Sequence, residues 1–274
     1  MSAPKQIVVS GGFDDIKSRD LRFLEEASQL GELTVWLWTD ALIRQQAGRA
    51  PKFTLEERLY VLNAVRYVSR VVPQAGKMAP DSLPEIPGLR PQLWADVEAS
   101  ATPAREQFCR GNNMAYRVFA AGELAGFPEP PPTPSAAGRK KVVATGCYDW
   151  FHSGHVRFSE EASAYGDLYV CLGSDANVRL LKGAGHPLLS EAERRYVVGS
   201  IKYVKQALIT TGSGWVDADP EIRRLKPDIY VVNEDGDKGG KREYCQQLGI
   251  EYLILKRAPA PGLPPRSSTD LRGF

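Results

Sequence analysis

Along this chain, short runs of β-branched and aliphatic residues recur between segments whose apolar positions fall three or four apart. Val142–Thr145 is such a run, and residues 155–165 follow it with Val156, Ser159 and Ala162–Ser163 on one helical face. "DLYVCLGS" (167–174) reads as a buried strand. "SEAERRYVVGSIKYV" (190–204) reads as a helix opened by Ser190 with Glu193 three residues on, the pattern of a capping box. "QALIT" (206–210), "DIYVV" (228–232) and "EYLIL" (251–255) complete the strands. Apolar strands alternating with helices predict a parallel sheet with right-handed crossovers, a doubly wound α/β unit.

The pattern occurs twice. "IVVSGGFDDIKSRDLRFLEEASQLGELTVWLWTD" (7–40) aligns without gaps on "VVATGCYDWFHSGHVRFSEEASAYGDLYVCLGSD" (142–175), and about 14 of 34 positions match. After a one-residue shift, "PKFTLEERLYVLNAVRYV" (51–68) meets "PLLSEAERRYVVGSIKYV" (187–204). "LRPQLW" (89–94) then falls on "LKPDIY" (225–230), and Phe108-Cys109 on Tyr244-Cys245. The chain is read as a tandem duplication of two Rossmann-like units related by a pseudo-two-fold. Between the copies lies "GFPEPPPTPSAAGRKK" (126–141), whose proline content suits a semi-rigid, solvated spacer. The expected division is 1–125, a linker over 126–139, and 140–274. Each copy is long enough to bury a core of its own.

Composition narrows the function classes. The chain has 274 residues, 43% of them hydrophobic and 25% charged, as expected of a soluble globular protein. A net charge of +2 does not by itself imply nucleic-acid or membrane binding, although a local basic site for an anionic substrate stays open. No segment approaches the ~20 apolar residues needed to span a bilayer. The start, "MSAPKQIVVSGGFDD", turns acidic before a signal-peptide core could form, so the protein is expected to be cytoplasmic. Cys109, Cys147, Cys171 and Cys245 show no CxxC spacing and are read as reduced and structural.

The chemistry concentrates in "TGCYDWFHSGH" (145–155), where a strand ends in Thr145-Gly146 and a helix begins near Gly154. In open α/β sheets ligands bind at the carboxyl ends of strands, where helix N-termini offer free N–H groups and a positive dipole end. Two imidazoles there, with a glycine that lets the backbone approach, suit phosphate oxygens. A zinc pair or two capping histidines are the competing readings. Zinc would need a third ligand, and the only other histidine is His186.

"GCYDWFHSGH" resembles the GxFDxxHxGH signature of the cytidylyltransferase-like nucleotidyltransferase superfamily, and the likeness spans the second copy nearly end to end. That superfamily includes cytidylyltransferases acting on glycerol 3-phosphate, ethanolamine phosphate and choline phosphate, and adenylyltransferases acting on heptose phosphate and FMN. Tandem copies resemble ethanolamine-phosphate cytidylyltransferase. The resemblance implies that His152 and His155 hold the triphosphate and stabilise charge building on the α-phosphate. It implies that Lys182, in "LKGAGHP", and Arg194 reach phosphates; alone, either would read as a solvated surface charge. Thr145, Gly146, Cys147, Tyr148, Asp149 and Gly154 of the signature turn are expected at the nucleotide. Ser267, Ser268 and Thr269, in "RSST" (266–269), resemble the final Ser/Thr motif that holds the β- and γ-phosphates, and Arg257 the arginine preceding it. Arg266 departs from the family pattern and would reach a phosphate or pair with Asp270. Asp235 falls where the family has "GDD" near the nucleotide, in competition with Asp237 and Glu234. Trp215 resembles an aromatic residue of the glycerol-3-phosphate enzyme's pocket, and otherwise reads as a packed loop aromatic. "GDKGGKRE" (236–243), with Lys241, would hold the acceptor's phosphate or form a solvated turn into a helix.

The implied reaction is attack of an acceptor phosphate oxygen on the α-phosphorus of a nucleoside triphosphate, with pyrophosphate leaving and Mg²⁺ bridging the phosphates. CTP with a phosphorylated alcohol, or a related phosphate or phosphonate, is the first expectation. ATP with a sugar phosphate is the second, because "LKGAGHPLLSEAERR" also resembles the "KG…RP…EQR" stretch of heptose-phosphate adenylyltransferases. A nucleotide-sensing or scaffold protein is the third.

In the first copy Lys17, Arg19 and Asp20 replace His152, Gly154 and His155, Ala47 stands for Lys182, and nothing after Phe119 resembles "RSST". A carboxylate at the helix N-terminus would repel a triphosphate. The first half is therefore expected to be inactive. It would serve as the inactive partner of an intramolecular pseudo-dimer, which would let the chain stand as a monomer, or as a pocket for an effector.

Overall fold

The computed structural model describes residues 4–73, 79–83, 85, 88–130 and 134–268. The chain divides into two compact units, Met1–Gly126 and Phe127–Phe274. In the first unit the elements run β1 (Gln6–Gly11), α1 (Ser18–Ser28), β2 (Glu32–Leu37), α2 (Asp40–Ala47), α3 (Leu55–Asn63), β3 (Arg70–Pro73), β4 (Leu93–Val97), α4 (Pro103–Gly111) and β5 (Ala115–Phe119). In the second they run β6 (Lys141–Gly146), α5 (Ser153–Ser163), β7 (Asp167–Leu172), α6 (Asp175–Lys182), α7 (Glu191–Gly199), β8 (Val204–Ile209), α8 (Asp219–Leu225), β9 (Ile229–Asn233), α9 (Lys241–Leu248) and β10 (Glu251–Leu255).

Each unit is a five-stranded parallel sheet, ordered β3-β2-β1-β4-β5 in one and β8-β7-β6-β9-β10 in the other. Both are doubly wound, with the strand order reversing beside the first strand of the unit. Because helices cover both faces of such a sheet, its strands are apolar without alternation. Leu33–Leu37 in β2 are buried without a break, as are Val170–Leu172 in β7. Small residues let α5 settle closely on the sheet, through Val156, Ser159 and Ala162.

At the reversal, β6 pairs with β9 only through Val142 and Val143, whereas it pairs with β7 along its whole length. The two strands part after Val143 and leave a crevice at their carboxyl ends, the place where α/β sheets take ligands. Strands β1 and β4 pair through Ile7 and Val8 alone in the same way.

Two expectations change. The helix expected over 190–204 begins as read, with Ser190 Oγ accepting from the Glu193 amide at 3.3 Å, but it ends at Gly199 and residues from Val204 form β8. The proline-rich stretch is not a free spacer at its start. Phe127 packs on Tyr196 with centroids 5.9 Å apart, Glu129 pairs with Arg195 at 3.2 Å, and Pro130 lies against Gly199, all on α7.

Candidate functional site

The crevice between β6 and β9 opens into a cavity of about 230 Å³ walled by the signature turn, the first turns of α5, the end of β9 and the segment 256–266. His152 is the N-cap residue of α5, and its Nδ1 accepts from the Gly154 amide at 3.1 Å. With Nδ1 as acceptor, the ring proton lies on Nε2. His155 lies one turn on, its ring centroid 4.0 Å from that of His152, between Tyr148 at 5.1 Å and Phe151 stacked at 5.5 Å. Its buried Nδ1 has no hydrogen-bond partner. Burial, followed by the nearby His152, Arg257 and Lys182, holds the His155 imidazolium well below its ordinary range, so the ring is neutral at pH 7. Gly154 is required here. A Cβ would lie 2.9 Å from the His152 ring and 3.6 Å from the Arg266 carbonyl oxygen.

Opposite the histidines, Arg257 is ion-paired with Asp235, donates to the Arg266 carbonyl at 3.3 Å, and is itself a lining residue. Thr145 Oγ1 and the Tyr230 hydroxyl are 2.7 Å apart across the parted strands. Ser268 Oγ donates to the Trp150 carbonyl at 3.2 Å, which brings the final Ser/Thr segment against the signature turn. Lys241 donates to the Gly236 carbonyl at 2.9 Å and sits 5.6 Å from the Trp215 ring, and burial lowers its pKa against the opposing pull of Asp237 and Asp235. Trp215 in turn donates to the Gly239 carbonyl at 2.6 Å. The cavity thus gathers Thr145, Gly146, Cys147, Tyr148, His152, Gly154, His155, Asp235, Lys241, Arg257 and Arg266. Thr269, and the Asp270 weighed as a partner for Arg266, lie outside the described residues.

Two sequence expectations, Arg194 and Asp149, need correction. Arg194, expected to reach substrate phosphates, is fully buried, and each part of its guanidinium is engaged within the fold. Nε donates to Leu189 O at 3.0 Å, one terminal nitrogen to Cys147 O at 2.7 Å, the other to Asp175 Oδ1 at 2.8 Å. Arg58 of the first unit repeats this with Phe53 O, Gly12 O and Asp40 Oδ1. Asp149 is absent from the cavity wall. Its carboxylate accepts from the Leu188 amide at 2.5 Å, the Leu189 amide at 3.3 Å and the His186 ring at 2.8 Å. Burial would raise its pKa, but these donors outweigh it and hold the carboxyl below its ordinary range. His186 is thereby engaged away from the histidine pair. Lys182, the last residue of α6, is exposed and outside the cavity wall, and acts on His155 through space.

Sequence reasoning missed Arg157, Phe158 and Glu161, which line the cavity from the next turns of α5. Their spacing from Gly154, three, four and seven residues, is the signal that places them on its face. It also missed the wall formed by Lys256 and residues 258–260 and 264–265, which carries no motif.

The first unit has the same frame with different contents. The Asp14 carboxylate accepts from the Lys52 and Phe53 amides, each at 2.9 Å. Asp20, in place of His155, accepts from the Lys17 amide at 2.7 Å and so caps its own helix. Trp38, in place of Gly173, donates to Ser10 Oγ at 2.7 Å, where the second unit has Thr145. Trp38 packs with buried Trp36 and Trp94. Buried Asp96 is taken up by Arg105 at 2.5 Å and by the Tyr116 hydroxyl at 2.9 Å.

Residues 143–273 match a family model described as cytidylyltransferase-like. The chain is 38% identical over 104 residues to the bifunctional protein HldE of Geobacter metallireducens, a match covering 36% of this chain and 20% of that protein. It is 37% identical over 120 residues to the FAD synthase of Ferroglobus placidus, covering 43% of this chain and 75% of that one. A solved lipopolysaccharide core biosynthesis protein from Thermoplasma volcanium aligns over 44% of this chain and 98% of its own, at 25% identity and a TM-score of 0.38. The chain thus spans about a fifth of the length of the HldE protein it matches.

Proposed function

The chain belongs to the cytidylyltransferase-like family of nucleotidyltransferases, and from this we propose that its second unit transfers an adenylyl group from ATP to a phosphate monoester, releasing pyrophosphate. The observation that carries the reading is the pair of imidazoles 4.0 Å apart at the N-terminus of α5, on the wall of the cavity between the parted strands. An acceptor phosphate oxygen bonds to the α-phosphorus as the bridging oxygen to the β-phosphorus leaves with the pyrophosphate. His152, with its proton held on Nε2 by the Gly154 amide, donates to the α-phosphate oxygens. His155, neutral and without a partner at Nδ1 before the nucleotide arrives, takes up a proton once three phosphates face it, and donates as well. Arg257 exchanges its Asp235 partner for phosphate oxygens. Donors fixed in place before the reaction account for most of the acceleration in such transfers.

Mg²⁺ would arrive with the triphosphate. No group of three His, Cys, Asp or Glu side chains able to hold a metal lies among the described residues, and phosphate oxygens and water would be among its ligands. That suits an ion that keeps much of its water.

The choice of ATP rests on the FAD synthase and HldE relatives, whereas the description of the family favours CTP as the second reading. Thermal-shift titration of ATP against CTP with Mg²⁺ separates them, since a nucleotide stabilises the fold by mass action. Pyrophosphate release across a panel of phospho-alcohols, sugar phosphates and FMN tests the transfer itself. No release with any acceptor would sink it in favour of a nucleotide sensor. We further propose that the first unit is non-catalytic, its site occupied by its own tryptophans and by the Asp20 cap.

A further inference from the structure

We infer that the second unit holds another anion site, separate from the histidine cavity, at the amino ends of β7 and β8, where Lys205, Lys202 and Arg139 take a doubly charged phosphate group. A cavity of about 220 Å³ lies there, nearly the volume of the histidine cavity. Ser163, the last residue of α5, lies on its wall, whereas His152 caps the first turn of that helix. About 16 Å of helix therefore separates the two cavities.

The observation that carries this is Lys205. Its Nζ is buried and has no hydrogen-bond partner among the described residues. A buried charge is costly unless an opposite charge meets it. Elsewhere the chain follows that rule, and the buried guanidiniums of Arg58, Arg105 and Arg194 reach the carboxylates of Asp40, Asp96 and Asp175. Lys205 lines the cavity, and an anion entering there would supply the missing counterpart.

The backbone singles out the same residue. Leu168 of β7 pairs with Val204 and Tyr169 with Gln206, so Lys205 is the extra residue of a β-bulge. Bulges re-aim a side chain and are frequent beside functional sites. Strand β8 is at the edge of its sheet, where lysines often guard against pairing with another chain. A guarding lysine has its ammonium in water, and that of Lys205 is buried. In the first unit Ser69 stands at this place and Pro4 at that of Arg139, and β3 pairs with β2 in unbroken register. The frame itself needs neither cation.

The charges set the ligand. Arg139 is held at the cavity by Asp167 at 2.8 Å and by the Ser163 carbonyl at 3.0 Å. Among the described residues Asp167 is the one acid on the wall, against Arg139, Lys202 and Lys205, which leaves two positive charges over. A phosphate dianion matches them, and its several oxygens accept from more than one cation at once. A single carboxylate would leave one cation unanswered.

The full chain, with α,β-methylene-ATP and Mg²⁺ in excess to fill the histidine cavity, is to be titrated calorimetrically with inorganic phosphate, ribose 5-phosphate and, as a carboxylate, citrate. The wild type should bind inorganic phosphate or ribose 5-phosphate at one site per chain. Lys205→Met should weaken that binding about tenfold or more and leave the affinity for the nucleotide analogue unchanged. The stronger of the two ligands tells a free phosphate from an esterified one. Without phosphate, Lys205→Met should melt no lower than the wild type, since it removes an unanswered ammonium, and phosphate should no longer raise its melting temperature. Should that variant fail to fold, Lys202→Gln, at an exposed position, should weaken the same binding about threefold. No binding of either phosphate, binding indifferent to the variants, or preference for citrate overturns the site. Binding lost in His152→Ala but kept in Lys205→Met also overturns it, and returns the phosphate to the histidine cavity. None of these outcomes depends on adenylyl transfer taking place.

Discussion

The imidazoles of His152 and His155 stand with centroids 4.0 Å apart, one fixed as a donor by the Gly154 amide and the other buried without a partner at Nδ1. Such an arrangement is costly to protonate while the cavity lacks an anion. The pH dependence of stability follows. In the folded protein the His155 imidazolium is disfavoured, so below its ordinary 6.5 the unfolded chain binds the proton that the folded chain refuses. Stability contributed by this residue is present above that value. It falls as the pH drops toward the depressed folded pKa, by at most about 1.4 kcal/mol per pH unit. Thermal melts between pH 7 and 5 should show this slope in the wild type, a shallower one with ATP bound, and its loss in His155→Ala.

Turnover should separate the two helix N-termini. His155→Ala removes a donor to the charge that develops in transfer, and should lower kcat about 10²–10³-fold. Asp20→Ala disturbs only a cap of α1 and should leave turnover unchanged. Comparable losses in steady-state pyrophosphate release from both variants would overturn the inactive-half assignment.

Arg194 should behave as a framework residue. Removing a buried arginine leaves Cys147 O, Leu189 O and the Asp175 carboxylate without their donor, at a cost of about 3 kcal/mol. Denaturant unfolding of Arg194→Ala should record that loss, and Arg58→Ala should show a similar loss with the KM for ATP unaffected. A residue bound to phosphate would instead raise the KM at unchanged stability.

Nucleotide stoichiometry tests the contents of the first unit. With Trp36, Trp38 and Trp94 packed together and Asp20 closing the helix end, calorimetry should return one ATP per chain. Two would restore the effector pocket.

Much of this was legible in the sequence. Parallel strands show as unbroken apolar runs because both faces are covered, and two such series in register show the repeated unit. The histidine pair was legible because the spacing His152-Ser153-Gly154-His155 places both rings on one turn of a helix start. The use of Arg194 was not, since sequence register says which residue stands at a place and not whether its guanidinium faces a phosphate or three backbone and side-chain acceptors. Asp149 hid for the same reason, its partners Leu188 and Leu189 lying about forty residues away. The early end of α7 escaped because apolar residues continue through Ile201 and Val204 into β8 without a change of pattern.

The arginine brace shared by Arg58 and Arg194 has a practical consequence. Because each unit has the same brace, the same aspartate loop clamp and the same parted strands, any change in the second can be mirrored at its counterpart in the first. Leu180 has Gln45, His155 has Asp20, Gly173 has Trp38. On the proposed assignment of the first unit as non-catalytic, every preparation of this protein contains its own blank, at equal concentration and in the same buffer. Grafting residues from the second unit onto the first asks which of them bring nucleotide binding and turnover with them.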